Sequence, residues 1–246
     1  MVRLSVNVNK VATLRNSRGG RVPSVLEAVR TCVRAGSPGI TVHPRADQRH
    51  ITPADVREIA AELKGRDVEF NIEGDPRPDL LALVDEIRPT QCTLVPVKPG
   101  EMTSQAGWPP ETRKKTLEDV ICRLKAAGVR VSLFVDPEAD AIRWGADVGA
   151  NRVELYTEPF ARQFAAGPRQ GTVSLRKYVD AAELAHSLGL GVNAGHDLDL
   201  ENLRLFRELP HLDEVSIGHA LMSRALFVGL ETVVGEYLDV LKPQPA

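Results

Sequence analysis

The chain has 246 residues, 43% hydrophobic, 26% charged and 4% aromatic, with 31 lysines and arginines against 33 aspartates and glutamates for a net charge of −2. This balance excludes a disordered chain and leaves no global basic field for nucleic acid or anionic lipid, so a bound anion must be met by local charges. Cys32, Cys92 and Cys122 fall outside any C-x-x-C spacing, which argues against a disulfide framework and a thiolate metal site, and no apolar run approaches the roughly 20 residues of a membrane helix. With no signal-peptide pattern in MVRLSVNVNK, a cytoplasmic protein is expected.

Short runs rich in Val, Ile, Leu, Phe or Tyr alternate with amphipathic stretches along the chain. The predicted strands are RLSVNV (3–8), GITVH (39–43), VEFNIE (68–73), QCTLVP (91–96), VRVSLFV (129–135), NRVELY (151–156), LGVNA (190–194) and DEVSIG (213–218). The predicted helices run 24–35, 52–63, 78–87, 110–126, 138–148, 175–187, 199–208 and 220–241. Thr52-Pro53-Ala54-Asp55 has the form of an N-cap followed by proline at the first helical position, and Gly128 and Gly189 stand where helix-ending glycines belong. Eight βα units in about 250 residues have the size and rhythm of a single-domain (β/α)8 TIM barrel over residues 1–246, and no G-x-G-x-x-G follows the first strand. Two connections exceed what a barrel needs, 97–110 after the fourth strand and 157–174 after the sixth. Both are read as extended loops and candidate lids.

Barrel active sites lie at the carboxyl ends of the strands. There this sequence places Asn7, Asn9 and Lys10 after the first strand, His43, Arg45 and His50 after the second, and Glu73 on the third. Glu154 follows on the sixth strand, Asn193 and His196 on the seventh, and Gly218 and His219 on the eighth. Any one such residue is an ordinary hydrogen-bonding group; convergence on one face gives titratable groups that shift one another's pKa, as general acid–base chemistry requires. The His and Glu donors leave a divalent-metal hydrolase open, although no H-x-H follows the first strand, and Lys10 or Lys98 leaves a Schiff-base mechanism open. Arg15 and Arg18 before Gly19-Gly20, Arg45, Arg49 and His50, and Gly218-His219 at the start of a helix predict two phosphate clusters, with Arg49 the one arginine expected to pair with a surface carboxylate such as Asp47.

The ordered set VNVNKVATLRNSRGG (6–20), GITVHPRADQRHIT (39–52), FNIEG (70–74), LVPVKPGEMTS (94–104), VSLFVDP (131–137), VELYT (153–157), LGVNAGHDL (190–198) and SIGHALMSRAL (216–226) resembles the pyridoxine 5′-phosphate synthase family of vitamin B6 biosynthesis along the whole chain. The resemblance implies a (β/α)8 barrel, an octamer, and condensation of 3-amino-2-oxopropyl phosphate with 1-deoxy-D-xylulose 5-phosphate, with release of phosphate and water and without metal or organic cofactor. A different phosphosugar lyase, epimerase or aldolase on the same barrel is the alternative.

It implies further that His43 and Glu73 accept protons, His196 donates one, and Glu154 supports the transition state. Asn7 would hold the amino-ketone phosphate, and Asp197, Gly218 and His219 would lie around it. Arg18, Asn9 and Lys10 would lie against deoxyxylulose phosphate, whose phosphate would meet Arg45, His50 and Thr103. Many members have Asp-His where this chain has Asn9-Lys10, and glycine where it has Asp197; the opposite charges of Lys10 and Asp197 lead to the expectation that the two are coupled. Loop 97–110, with two glycines and Trp108, is expected to close over the site.

Overall fold

A computed structural model describes residues 1–98, 100–101 and 103–243. Eight parallel strands close into a barrel in sequence order: β1 (Arg3–Asn7), β2 (Gly39–Val42), β3 (Glu69–Gly74), β4 (Gln91–Leu94), β5 (Arg130–Val135), β6 (Arg152–Tyr156), β7 (Gly191–Gly195) and β8 (Leu212–Ile217). The helices are α1 (Asn9–Asn16), α2 (Val25–Arg34), α3 (Pro53–Leu63), α4 (Pro78–Ile87), α5 (Lys115–Ala126), α6 (Ala139–Asp147), α7 (Glu158–Ala166), α8 (Pro168–Ser187), α9 (Leu203–Phe206), α10 (His219–Val228) and α11 (Leu230–Leu241). None is long and apolar enough to cross a membrane.

Alternation within the strands sorts residues between two environments. Val6, Ile40, Ile72, Cys92, Val131, Val153, Val192 and Val215, one from each strand, are fully buried in the main core cluster with residues of the surrounding helices. Each contributes roughly 1.5–3 kcal/mol of apolar burial if it is as large as valine or isoleucine. The intervening side chains turn into the barrel and are polar: Ser5, Thr41, Asn71, Thr93, Ser132, Asn193 and Glu214 are all buried. All but Ser132 are bonded within the barrel, Ser5 with Thr41 at 2.7 Å, Thr93 donating to Asn71 at 3.0 Å, and Asn193 on β7 reaching across the barrel to Gln91 on β4 at 3.4 Å. At the amino-terminal end Arg130 and Arg152 are bonded to Glu69 and Asn193 respectively.

Local signals hold where the chain obeys them. Thr52 and Asp55 form a reciprocal capping box. Gly128 and Gly189, at φ 81° and 77°, follow α5 and α8 as helix-ending glycines do.

Elsewhere the expected boundaries change. The segment after β6 is not an extended loop: α7 and α8 fill it, separated at Gly167. Pro159 sits in the first turn of α7, where its missing N–H costs nothing. Phe160 is fully buried and packs with Phe206 and Tyr178 at ring-centroid distances of 5.0 and 5.9 Å. That connection therefore serves the core and is no lid. The helix expected over 220–241 breaks at Gly229, φ 87°, into α10 and α11, and the segment 199–208 forms the single turn α9. The fifth helix begins at Lys115 instead of 110.

Loop 97–110 contains no helix or strand among its described residues; Pro99 and Met102 lie outside them. Its far end is tied down: the Trp108 backbone N–H donates to the Phe134 carbonyl and its indole N–H to the Leu94 carbonyl, both at 2.9 Å. At Gly107 a β-carbon would stand 2.3 Å from the backbone of Val135, so the chain approaches β5 as only glycine allows. Trp108 is an anchor, and any closure is confined to the part of the loop before it.

Candidate active site

The carboxyl ends of the strands surround a cavity of about 450 Å³. Of the residues expected there, Asn7, Asn9, Lys10, His43, Arg45, His50 and Glu73 line it, as do Thr103, Glu154, His196, Asp197, Gly218 and His219. Arg18 is exposed and is not among the lining residues. Ser104, Ser216, Thr13 and Phe134 also line it. The alternation Glu214, Ser216, Gly218 in DEVSIG marks Ser216 as inward-facing.

The first connection is a helix where a loop was expected, and this changes the role of Arg15. From the last turn of α1 its guanidinium grips Asp55 with both nitrogens, one at 2.9 Å, and reaches the His50 carbonyl. An arginine so engaged joins α1 to α3 and is unavailable to a phosphate. The two asparagines also have structural work. Asn7 Oδ1 accepts the Asn9 backbone N–H at 3.0 Å, and Asn9 Oδ1 accepts the His43 backbone N–H at 2.9 Å, locking the ends of β1 and β2 together. Arg49 pairs with Asp47 as expected, and it also donates to the Glu101 carbonyl at 2.9 Å, joining the β2 loop to loop 97–110.

Three carboxyls lie in the barrel. Burial, followed by the neighbouring charge of Glu214, pushes Glu73 up to about 8 against the opposing hydrogen bond of Ser216. Burial and then Glu73 and Glu214 hold Glu154 well above the carboxylate range. Glu214 itself rises to about 7, through burial first and the charge of Glu69 second. The backbone accommodates this crowding closely: a β-carbon at Gly195 would come within 2.4 Å of Glu154 Oε1.

Beside Glu73, His43 Nδ1 stands 3.9 Å from Oε2. Burial, aided by His50, Arg45, Arg77 and His196, lowers His43 well below the ordinary imidazole value, so it is neutral at pH 7. His50 drops to about 4 through burial and then the charges of Arg45, Lys10 and Arg49. Its Nδ1 accepts the Ile51 backbone N–H at 2.9 Å, which places the ring proton of the neutral form on Nε2. His50 therefore offers the cavity a single neutral donor, beside the cation Arg45.

On the opposite wall the His196 ring packs against Phe134 and Tyr156 at centroid distances of 5.5 and 5.4 Å. Asp197 follows, its carboxyl held below the usual range first by a hydrogen bond with His196, then by His219 and Lys10. Gly218 caps α10, and His219 opens it, so a helix N-terminus faces the cavity, with only β1 between its strand and the β2 end that carries Arg45. Lys98 is exposed and does not line the cavity. Among the described residues no group of three or more His, Cys, Asp or Glu side chains is placed to hold a metal ion.

A closed (β/α)8 barrel with buried carboxyls, neutral imidazoles and anion donors at the carboxyl ends of its strands defines an acid–base enzyme. A family model described as pyridoxal phosphate biosynthesis protein PdxJ matches residues 4–243, and the chain belongs to that family. The pyridoxine 5′-phosphate synthase of Christiangramia forsetii is 50% identical over 243 residues, covering 98% of this chain and 100% of the relative. That of Porphyromonas gingivalis is 51% identical over 242 residues, covering 98% and 99%. Among solved structures, phosphoribosyl anthranilate isomerase from Thermotoga maritima superposes with a TM-score of 0.62 at 14% identity, covering 98% of each chain. Thiamine phosphate pyrophosphorylase from Pyrococcus furiosus gives 0.62 at 13% identity, covering 98% and 95%. At these identities the structural likeness establishes the barrel alone.

Proposed function

We propose that this protein is a pyridoxine 5′-phosphate synthase that joins 3-amino-2-oxopropyl phosphate to 1-deoxy-D-xylulose 5-phosphate, releasing phosphate and water. Support comes above all from one observation: a single cavity holds a carboxyl near 8, two neutral imidazoles and two groups able to meet an anion, Arg45 with His50 and the N-terminus of α10. The amine must add to a ketone, the carbinolamine must lose water, the sugar phosphate group must leave, and ring closure ends in a further dehydration. Each step moves a proton, so groups that are acid at one step and base at the next are required.

Glu73, once ionised, and neutral His43 take protons on one wall; His196 gives one from the other. Glu154, buried beneath them, supports charge developing in the transition state. Arg45, His50 and Thr103 take the phosphate of the sugar, while Asn7, Gly218 and His219 hold that of the amino ketone. Lys10 and Asn9 stand at the sugar side, and Arg18 is outside the lining in the single chain. A homo-oligomer is part of the same reading; Leu226 and Phe227, 72% and 88% exposed on α10, offer it apolar surface.

Phosphate release measured together with pyridine-ring absorbance tests the reading. Stoichiometric phosphate and ring formation are expected only when both substrates are present; no product from folded protein that binds either phosphate overturns it.

Lys10 and Asp197 give a separate expectation. Changing Lys10 to His or Asp197 to Gly alone leaves one cavity charge uncompensated, so the double variant should lose less activity than the two single losses combined. A double-mutant cycle on kcat/KM checks this, and simple additivity would show the charges to be independent.

A further inference from the structure

The turn leaving β7 holds two consecutive non-glycine residues in the left-handed region, His196 at φ 85° and Asp197 at φ 58°. L side chains persist there only where the surroundings impose the conformation. Here three successive carbonyls are held from outside the turn. The backbone N–H of Thr157 donates to the Gly195 carbonyl at 3.0 Å. Its hydroxyl lies 2.6 Å from that same oxygen and also against the His196 carbonyl, so one proton is shared between the two. Asn202 Nδ2 donates to the Asp197 carbonyl at 3.0 Å. Thr157 is 0% exposed and Asn202 2% exposed, so water does not compete for these bonds. The imidazole beyond the turn is seated against Phe134 and Tyr156, the latter immediately preceding Thr157 in the chain.

We propose that Thr157 is a positioning residue for catalysis: its buried hydroxyl fixes the strained turn at 195–197 and thereby aims the His196 imidazole into the cavity. The inference rests on the proposed function in taking His196 as the proton donor. Thr157 does not line the cavity and touches no reacting group. Its effect passes through the backbone of the turn. Valine in its place keeps the shape but sets a methyl group against the His196 carbonyl, and the turn loses the donor that opposes its relaxation.

The experiment compares Thr157→Val and Thr157→Ser in the otherwise native chain and in His196→Ala. Thr157→Val is expected to lower kcat about 10-fold or more with both KM values within about threefold, because displacing a reacting group by a fraction of an ångström costs turnover before binding. Thr157→Ser, which keeps the hydroxyl, should restore most of the loss. In His196→Ala, Thr157→Val should cost less than about twofold, since the two act as one unit. Imidazole NMR signals of His196, assigned by their absence in His196→Ala, should shift or broaden in Thr157→Val and return in Thr157→Ser. Thr157→Ala removes the hydroxyl without added apolar bulk, carries the same expectations, and replaces the valine variant if that one does not fold. A loss that persists in full in His196→Ala, or unchanged imidazole signals, overturns the proposal. A native chain that makes no product, or a fully active His196→Ala, refutes the function reading instead; the imidazole signals then still decide the positioning.

Discussion

Glu73→Gln is expected to lower kcat/KM about 100-fold or more while making the folded protein more stable at pH 8. The two effects share one cause. Glu73 is buried, its carboxyl rises to about 8, and the charge of Glu214 adds to the push. A carboxyl whose folded value lies above its unfolded one binds its proton more tightly when folded. Its stabilising contribution is complete below the ordinary carboxylate value and is lost as pH rises towards about 8. Glutamine keeps the shape of the protonated acid and has no ionisation to suppress, so the gain in Tm should be small at pH 5 and grow through pH 8.

Activity runs the other way, because a proton acceptor must be ionised. The native kcat/KM should rise with pH until about 8, following the ionised fraction of the free enzyme. Thermal melts and pH–rate profiles of both proteins check this. Near-normal turnover in Glu73→Gln removes Glu73 from the proton transfers, and a Tm gain that does not grow with pH removes the buried carboxyl as its cause.

The parts of this fold legible in the sequence are those written in local pattern. Thr52 and Asp55 are three residues apart, and Gly128 and Gly189 each stand one residue past the helix's C-cap, so the capping box and the stops are visible without tertiary knowledge. The strand ends carrying His43, Glu73, His196 and His219 were legible for the same reason, since a barrel places every strand end on one face.

What was not legible depends on partners far along the chain. Arg15 reads as a phosphate ligand until Asp55, forty residues on, is seen beneath it. Asn9 reads as a substrate contact, yet its carbonyl oxygen holds the His43 backbone. The connection after β6 carried its signal openly: Phe160 and Phe164 are spaced as one face of a helix. Pro159 and Gly167 do not argue against helix there, since proline in a first helical turn and glycine between helices both permit it. The polar lining of the barrel was likewise written in the strands. Parallel strands covered on both faces usually read as continuous apolar runs. RLSVN and EFNIE alternate instead, and with helices over one face the polar set can only turn inward.

Arg45→Met is expected to weaken binding of deoxyxylulose phosphate about 100-fold and leave the affinity for the amino-ketone phosphate unchanged. Arg45 is only 7% exposed and lines the cavity beside Arg49 and His50. A cation so withdrawn from water interacts more strongly with a phosphate than an exposed one does. Removing the charged partner of a buried pair costs roughly 2–5 kcal/mol, and a 100-fold change needs about 2.8 kcal/mol. Methionine retains much of the apolar stem, so the loss reports the guanidinium and not a cavity.

In the proposed function the amino-ketone phosphate meets the α10 N-terminus, where Gly218 and His219 are unaffected by this change. Calorimetric titration of each substrate alone separates the sites. Equal weakening of both would merge the two anion sites into one, and weakening of the amino ketone alone would exchange their assignments. The sugar phosphate is also the group that leaves, so kcat of Arg45→Met should fall further than saturation can recover: a fixed cation stabilises the departing phosphate as negative charge gathers on it, and His50, held neutral near pH 7, can donate a hydrogen bond but cannot supply that charge.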